Sequence, residues 1–426
     1  MSKPLSGKTV VLGLQHTFVM FGATVLVPMM TGLDVGITLF TVGVGTLIFH
    51  AATGFKVPIF LGSSFAFIPV IRVIAQTMDI SYALGGIVVA GGFYIAAAAV
   101  FKFMPVGLLH KIFPPHVTGT IIILIGVILA PVAVKDATDS FGGTIREQIT
   151  ELGCWGLAFF TFGMGIFIKL AFSRGGLKLI SMLPVFLAIL AGYVLSAILG
   201  VVDFSPIAQA AWIGLPQFSQ PQFDLSAIVL VAPVAIVTIV EHFGDILAIS
   251  KVTGKDFLAN PGISRSFFGN GIATSFAAFA GGPATTTYSE NIGTMALTGV
   301  HDPAVMRMAA VFAIFLAFVP KFSAFMGTIP PPVIGGISIL LFGMISAIGI
   351  RSMVDAHVRI HDPKILVIVA AMLVLGLGTG AIAHLDPTAP GAAVSAGDFA
   401  FSGLGLAAVV GVFLNVLLNI SSFKEE

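Results

Sequence analysis

Apolar runs long enough to cross a membrane recur from one end of this chain to the other, and they decide the fold class before any motif is read. A helix needs about 17–25 mostly apolar residues to cross the hydrocarbon core. Fourteen such runs can be marked, at 9–30, 36–53, 58–76, 83–101, 117–134, 152–171, 178–200, 227–249, 266–281, 284–298, 304–325, 332–350, 365–383 and 399–422. Charged residues make up 9% of the 426 residues and mean hydropathy is +1.07, whereas a soluble domain carries about 25% charged residues. The expectation is an all-α polytopic membrane protein, not a globular enzyme with one anchor. The first run lacks a small-residue cleavage site and reads as a retained helix, not a signal peptide. A single cysteine, Cys154, excludes an internal disulfide framework and a cysteine-held metal cluster. No basic run points to nucleic acid, and neither a metal nor an organic cofactor is expected.

Charge placement orients the runs. With fourteen spans and the N-terminus inside, every Lys and Arg falls on the cytoplasmic side except Arg72, Lys135, Arg146 and Lys321. That is the asymmetry of the positive-inside rule, so both termini are expected in the cytoplasm of a cell bearing the protein in its inner membrane.

The chain also repeats. At a spacing of 226 residues Gln15-His16 falls on Glu241-His242, and Gly62-Ser63-Ser64 falls on Tyr288-Ser289-Glu290. Seven helices per half is odd, so the second half enters from the opposite side, giving a 7+7 inverted repeat of the kind found in secondary transporters. Segments 3 and 10 are the irregular members of their halves. Pro58 and Pro283 resist joining a helix interior, and the Thr285-Thr286-Thr287 run favours extended backbone. Ser63, Ser64, Thr287 and Ser289 are suited to helix N-caps. Each segment is expected to be a short strand feeding a half-helix. The second, from Glu290 to Thr298, spans about 14 Å, about half the hydrocarbon core. Its N-terminus would present free N–H donors near the midplane.

Among the acidic residues, Glu241, Asp245 and Glu290 fall inside runs. Hydrocarbon excludes a lone carboxylate, so these face a cavity or a partner. Glu241 and Asp245 are one helical turn apart on one face, with His242 one residue round, and no Lys or Arg lies deep in a span to neutralise them. Carboxylates that load and release protons suit a proton-coupled carrier; acids hydrogen-bonded to a neighbouring helix are the plainer alternative. His16 reads first as a helix–helix hydrogen bond and only second as a functional group. Phe65 follows the Ser63-Ser64 pair and could stack on a planar ligand or simply pack, while Tyr288 precedes the second half-helix. There is no phosphate-binding loop, metalloprotease motif, nucleophile elbow or dinucleotide fingerprint. A channel and an intramembrane enzyme stay as alternatives.

The sequence resembles the nucleobase–ascorbate transporter family, and within it the bacterial uracil permeases. The resemblance is carried by Gln15-His16 with Phe21-Gly22-Ala23-Thr24, by Leu61-Gly62-Ser63-Ser64-Phe65-Ala66-Phe67, by Glu241-His242-Phe243-Gly244, and by Thr286-Thr287-Tyr288-Ser289-Glu290-Asn291-Ile292-Gly293. It implies a core domain from residues 1–112 and 227–328, a gate domain from 113–200 and 329–426, and a homodimer joined through the gate. It implies symport of a nucleobase, most often uracil in this branch, with a proton; xanthine or another base, or sodium coupling, is the variant within the family. By the same resemblance Glu241 and Glu290 would accept ring N–H groups, and backbone N–H groups near Phe65 and Ser289 would serve ring carbonyls. Ala23 and Phe65 would line the ring faces, with Ser64 and Tyr288 alongside. Glu241, Asp245, Glu290 and His242 would handle the proton, supported by Gln15, His16, Asn291 and Phe342. The chain departs from uracil permeases at Asp245, where some have His, at Phe342, where some have Tyr, at Ser289 in place of Gly, and at Gly299 in place of a basic residue.

Overall fold

The computed structural model describes residues 7–139, 149–172, 180–386, 389–396, 399–401 and 403–420. Both chain ends and Arg146 lie outside these residues, as does the side chain of Ala23. The chain opens with α1 (Gly7–Thr31) and α2 (Val35–Ala52), then strand β1 (Leu61–Ser63), a tight turn at Phe65–Phe67, α3 (Ile68–Thr77) and α4 (Ile80–Phe101). Next come α5 (Val106–Ile112), α6 (Pro115–Ile128), α7 (Ala130–Thr138), α8 (Glu151–Ala171), α9 (Pro184–Ile198) and α10 (Ser205–Gln209). The earlier order returns in α11 (Leu225–Val231), α12 (Val234–Thr253), α13 (Ile263–Ala280), strand β2 (Thr285–Thr287), α14 (Ser289–Thr298), α15 (Pro303–Ala317) and α16 (Pro320–Gly327). The chain then runs through α17 (Pro331–Asp355), α18 (Pro363–Leu385), the hairpin strands β3 (Val394–Ala396) and β4 (Phe399–Phe401), and α19 (Gly403–Leu418).

Each of the fourteen apolar runs carries helix. Among the described residues, eight helices are long and apolar enough to cross a membrane, or nine if α15 and α16 count as one bent span. Six segments fall short: segment 7 holds the shorter helix Pro184–Ile198, segment 9 is α13, which carries Arg265 and Asn270, and the other four have local causes. Segments 3 and 10 are divided between strand and short helix. Segment 11 is not one rod: α15 and α16 meet at 84°, where Pro320 removes a backbone donor. Segment 14 begins as strand β4, not helix, so its helix is the shorter stretch Gly403–Leu418.

Polar residues set where the helices start. Asp34, Asp79, Thr150, Asp224, Asp302 and Asp362 each accept a hydrogen bond from an N–H in the first turn of α2, α4, α8, α11, α15 and α18. Such caps satisfy donors that the helix itself leaves open. The buried helix starts after β1 and β2 differ: no side chain caps either one.

The two strands pair with each other. They run antiparallel, with Leu61 opposite Thr287, Gly62 opposite Thr286 and Ser63 opposite Thr285. Backbone of this kind survives at depth only if its polar groups are met. Ser64 N donates to Ala284 O at 2.9 Å. Leu61 N donates to Thr46 Oγ1 at 3.0 Å, and Thr274 Oγ1 donates to Thr285 O at 3.2 Å. Gly62 is required by close approach, since a Cβ there would lie 1.9 Å from the Tyr288 ring.

Around this crossing, α2 packs on α13 and α15, α4 on α13, and α1 on α15. A second group forms where α17 packs on α6, α7 and α8, and α18 packs on α19 and α6. α12 touches both groups, meeting α4 and α14 on one hand and α6 and α19 on the other.

Candidate substrate site

The strand crossing brings three carboxylates together. Glu241 and Asp245 come from α12, and Glu290 from the first turn of α14. Their surroundings divide them. Asp245 is buried and accepts two hydroxyl hydrogen bonds, from Thr287 Oγ1 at 2.5 Å and from Ser289 Oγ at 2.6 Å. Those lengths are typical of hydroxyl-to-carboxylate bonds. Glu241 receives only a long contact from Thr286 Oγ1, at 3.4 Å. Glu241 and Glu290 line a cavity with Thr286, Thr287, Tyr288, Ser289 and Phe65, whereas Asp245 is not among its lining residues.

The hydroxyls expected to cap the half-helices do other work. Ser289 and Thr287 bind Asp245, and Ser63 Oγ donates to Thr24 O at 2.9 Å. Ser64 begins the turn at Phe65–Phe67 without bonding to it, and its buried Oγ has no partner among the described residues. Tyr288, not Ser289, occupies the cap position of α14. This corrects the N-cap expectation. Its consequence is that no cap-position side chain takes the first N–H groups of either short helix, where a ligand carbonyl can bind; on α14 only the Glu290 carboxylate turns to its own N–H.

Tyr288 ties the two strands across the crossing. Its Oη donates to Ser63 O at 3.0 Å and accepts from Thr24 Oγ1 at 3.4 Å. Phe65 is buried and held edge-on by Phe342, with ring centroids 5.5 Å apart and planes at 82°. Phe342 is itself outside the cavity and acts on it through Phe65.

Other expected members lie further off. His242 is not among the lining residues; its Nε2 meets Ser266 Oγ at 2.6 Å and its ring packs on Phe267. Gln15 donates to Met182 Sδ at 3.2 Å, also away from the cavity. His16 and Asn291 are neighbours, both fully buried, but without hydrogen-bond geometry between them; both ring nitrogens and both amide atoms lack partners among the described residues.

The remaining wall is Ile122 and Ile125 of α6 with Ile345 and Ile348 of α17. These four were not singled out from sequence, because isoleucine at this spacing occurs throughout the apolar runs. The accessible volume is about 30 Å³, room for about one or two waters and too little for a ring bearing two carbonyls. The cavity is thus a narrow one between acids on α12 and α14 and a greasy wall on α6 and α17.

Comparison with known proteins agrees with this architecture. The xanthine–uracil permease model, described as a permease family, matches residues 7–384. A probable uracil permease of Pasteurella multocida is 41% identical over 416 residues, covering 96% of this chain and 94% of that protein. The uracil permease of Bacillus subtilis is 39% identical, covering 97% of this chain and 92% of its own. Among solved structures, the transmembrane domain of the cyanobacterial bicarbonate transporter BicA aligns with a TM-score of 0.62 at 15% identity, over 88% of this chain and 96% of that domain. At that identity the likeness speaks for the fold alone. The chain is a multi-pass membrane permease and not an enzyme, and it belongs to the xanthine–uracil permease family, the nucleobase–ascorbate transporters its motifs resemble.

Proposed function

We propose that the protein carries a nucleobase, uracil foremost, across the cytoplasmic membrane together with a proton. The observation that carries this reading is the pairing of Glu241 and Glu290, both open to one cavity, with the uncapped starts of two short helices. Uracil presents two ring N–H donors and two carbonyl acceptors. The carboxylates take the donors, and backbone N–H groups near Phe65 and Ser289 take the carbonyls. Phe65 and the Ala23 position cover the ring faces, with Ser64 and Tyr288 shaping the strand ends. A site built on hydrogen bonds rejects analogues that leave its groups unpaired. The names of the relatives support uracil over a purine.

The proton is exchanged at Glu241 and Glu290, with Asp245 and His242 behind them. Alternating access follows from the placement of the cavity. Its acids belong to the core domain (1–112 and 227–328) and its isoleucine wall to the gate domain (113–200 and 329–426). Moving one against the other widens a cavity that is too narrow for the base in this structure. In this reading the fourteen segments form a 7+7 inverted repeat, both termini are cytoplasmic, and the protein is a homodimer.

The test is uptake of labelled uracil into proteoliposomes under an imposed proton gradient. Accumulation that collapses with a protonophore, and competition by uracil above xanthine, adenine and ascorbate, is the expected result. Uptake indifferent to the proton gradient, or stronger competition by xanthine, would overturn the coupling or the substrate respectively.

A further inference from the structure

The two groups of helices are also joined by charge. Arg72 of α3 and Asp136 of α7 form an ion pair, with Arg72 Nη1 at 3.2 and 3.4 Å from the two Asp136 oxygens. α3 packs on α1, α4 and α11, on the side of the strand crossing, whereas α7 packs on α17 and α8. α3 and α7 are not themselves a packed pair, so the bond joins two bodies that share little apolar surface. Separating packed apolar faces costs their burial, but a charge pair can be exchanged for water. This pair is placed for that exchange, since its side chains keep 22% and 12% of their surface exposed.

Each end of the pair is continuous with one wall of the substrate cavity. Arg72 stands about two turns beyond Phe65, on the helix that the Phe65–Phe67 turn feeds. Asp136 moves with α17: a Cβ on Gly335 would lie 2.1 Å from Ala137 N, so the α17 backbone is pressed against α7 at this point. α17 also carries Ile345 and Ile348 of the wall that faces the acids. Parting Arg72 from Asp136 therefore parts Phe65 from those isoleucines. Other charges bear on the same corner. Lys135 and Asp139, at the end of α7, act on Asp136, and His384 of α18 acts with Arg72 and Lys135. Lys135 stays with Asp136 on its own helix when Arg72 leaves. We propose that Arg72 and Asp136 are a latch on the outer side of the substrate cavity: joined, they keep it narrow, and parted, they let it widen. The latch rests on the movement of core against gate proposed above.

The experiment reads the distance between α3 and α7 in the full-length protein. Spin labels go on Gln76→Cys and Thr138→Cys, near the ends of the two helices, with Cys154→Ser removing the native thiol. Distances are measured by pulsed electron paramagnetic resonance without substrate, so the result does not depend on uracil being the cargo. A charge-assisted bond contributes enough to shift a two-state ratio about ten-fold. The long-distance population, relative to the short one, is thus expected to rise about ten-fold in Arg72→Gln/Asp136→Asn. It should return to the wild-type ratio in the exchanged pair Arg72→Asp/Asp136→Arg. Asp136→Asn alone carries the test if the double variant does not stay monodisperse. Two distances with one ratio in wild type and neutral variant overturn the latch and leave the movement standing. A single distance unchanged in every variant overturns both. A ratio still raised in the exchanged pair assigns the effect to packing and overturns the latch as well.

Discussion

Asp245 is the sharpest place to test the site, because the structure assigns it a partner for each oxygen. It is buried, as is Thr287, and its two hydroxyl donors stand at 2.5 and 2.6 Å. A hydrogen bond to a charged group contributes about 1.5–3 kcal/mol net, a neutral one about 0.5–1.5. Asp245→Asn keeps the shape. One hydroxyl can still donate to the amide oxygen, and the other can reverse and accept from the amide N–H. The expected cost is therefore the difference between charged and neutral bonds, about 1–3 kcal/mol in total, or roughly 5- to 150-fold. Asp245→Ala is worse, since it strands two hydroxyls at about 1–3 kcal/mol each. Because Thr287 ends β2 and Ser289 opens α14, the loss falls on the placement of the N–H groups and Glu290. It is expected as a raised KM for uracil in the Asn variant and loss of uptake in the Ala variant. Ser289→Ala supplies the control. Its effect should shrink in the Asp245→Ala background, as for residues in one network. If Ser289→Ala costs the same in both backgrounds, or if Asp245→Ala transports with unchanged KM, Asp245 does not act by holding the strand-to-helix junction.

Further outcomes follow from other contacts. Glu241→Gln and Glu290→Gln should each abolish gradient-driven uracil accumulation while the purified proteins stay monodisperse; pH-dependent accumulation in both would remove the site assignment. Gly62→Ala forces the Tyr288 ring aside, given a 1.9 Å approach, and overpacking of this kind costs about 1–3 kcal/mol. A lowered melting temperature and at least ten-fold weaker uptake are expected, to be read by fluorescence-detected unfolding and transport. Ile345→Ala widens the wall opposite the acids and should let xanthine compete better against uracil in the uptake assay, with uracil affinity weakened. Arg72→Ala leaves Asp136 without its ion-pair partner at 3.2 Å. Both side chains are mostly buried, so a loss of about 3 kcal/mol in stability is expected, measured as a melting shift that Asp136→Asn in the same chain partly reverses.

What could be read from the sequence was whatever broke the apolar pattern. Pro58, Pro283 and the threonine run marked two places where a helix could not continue, and strands β1 and β2 lie there. Glu241 and Glu290 stood out because carboxylates are costly in lipid, and both reach the same cavity. What followed the pattern stayed hidden. Ile122, Ile125, Ile345 and Ile348 look like any other membrane-facing isoleucines, and only the packing of α6 on α12 and α17 sets them opposite the acids. The bend between α15 and α16 is different: Pro320 and Lys321 mark it in the sequence, inside a run otherwise long enough to pass for one span.

The fate of the serine and threonine hydroxyls was misread for a different reason, and it bears on how the site works. A Ser or Thr before a helix is expected to cap that helix, because in water the cap is its best local partner. In this interior a carboxylate one helix away is a stronger acceptor. Thr287 and Ser289 therefore turn to Asp245, and Ser63 turns to the backbone of α1. Every hydroxyl drawn off in this way is one fewer competitor at the helix start. Asp245 thus need not touch a substrate to serve the site: by holding Thr287 and Ser289 it fixes the junction of β2 and α14 beside Glu290. A sequence with Gly in place of Ser289 reaches the same open helix start by having no hydroxyl there at all. On this argument, Ser289→Gly should be tolerated where Ser289→Asp, which sets a second carboxylate against Asp245, should block uptake.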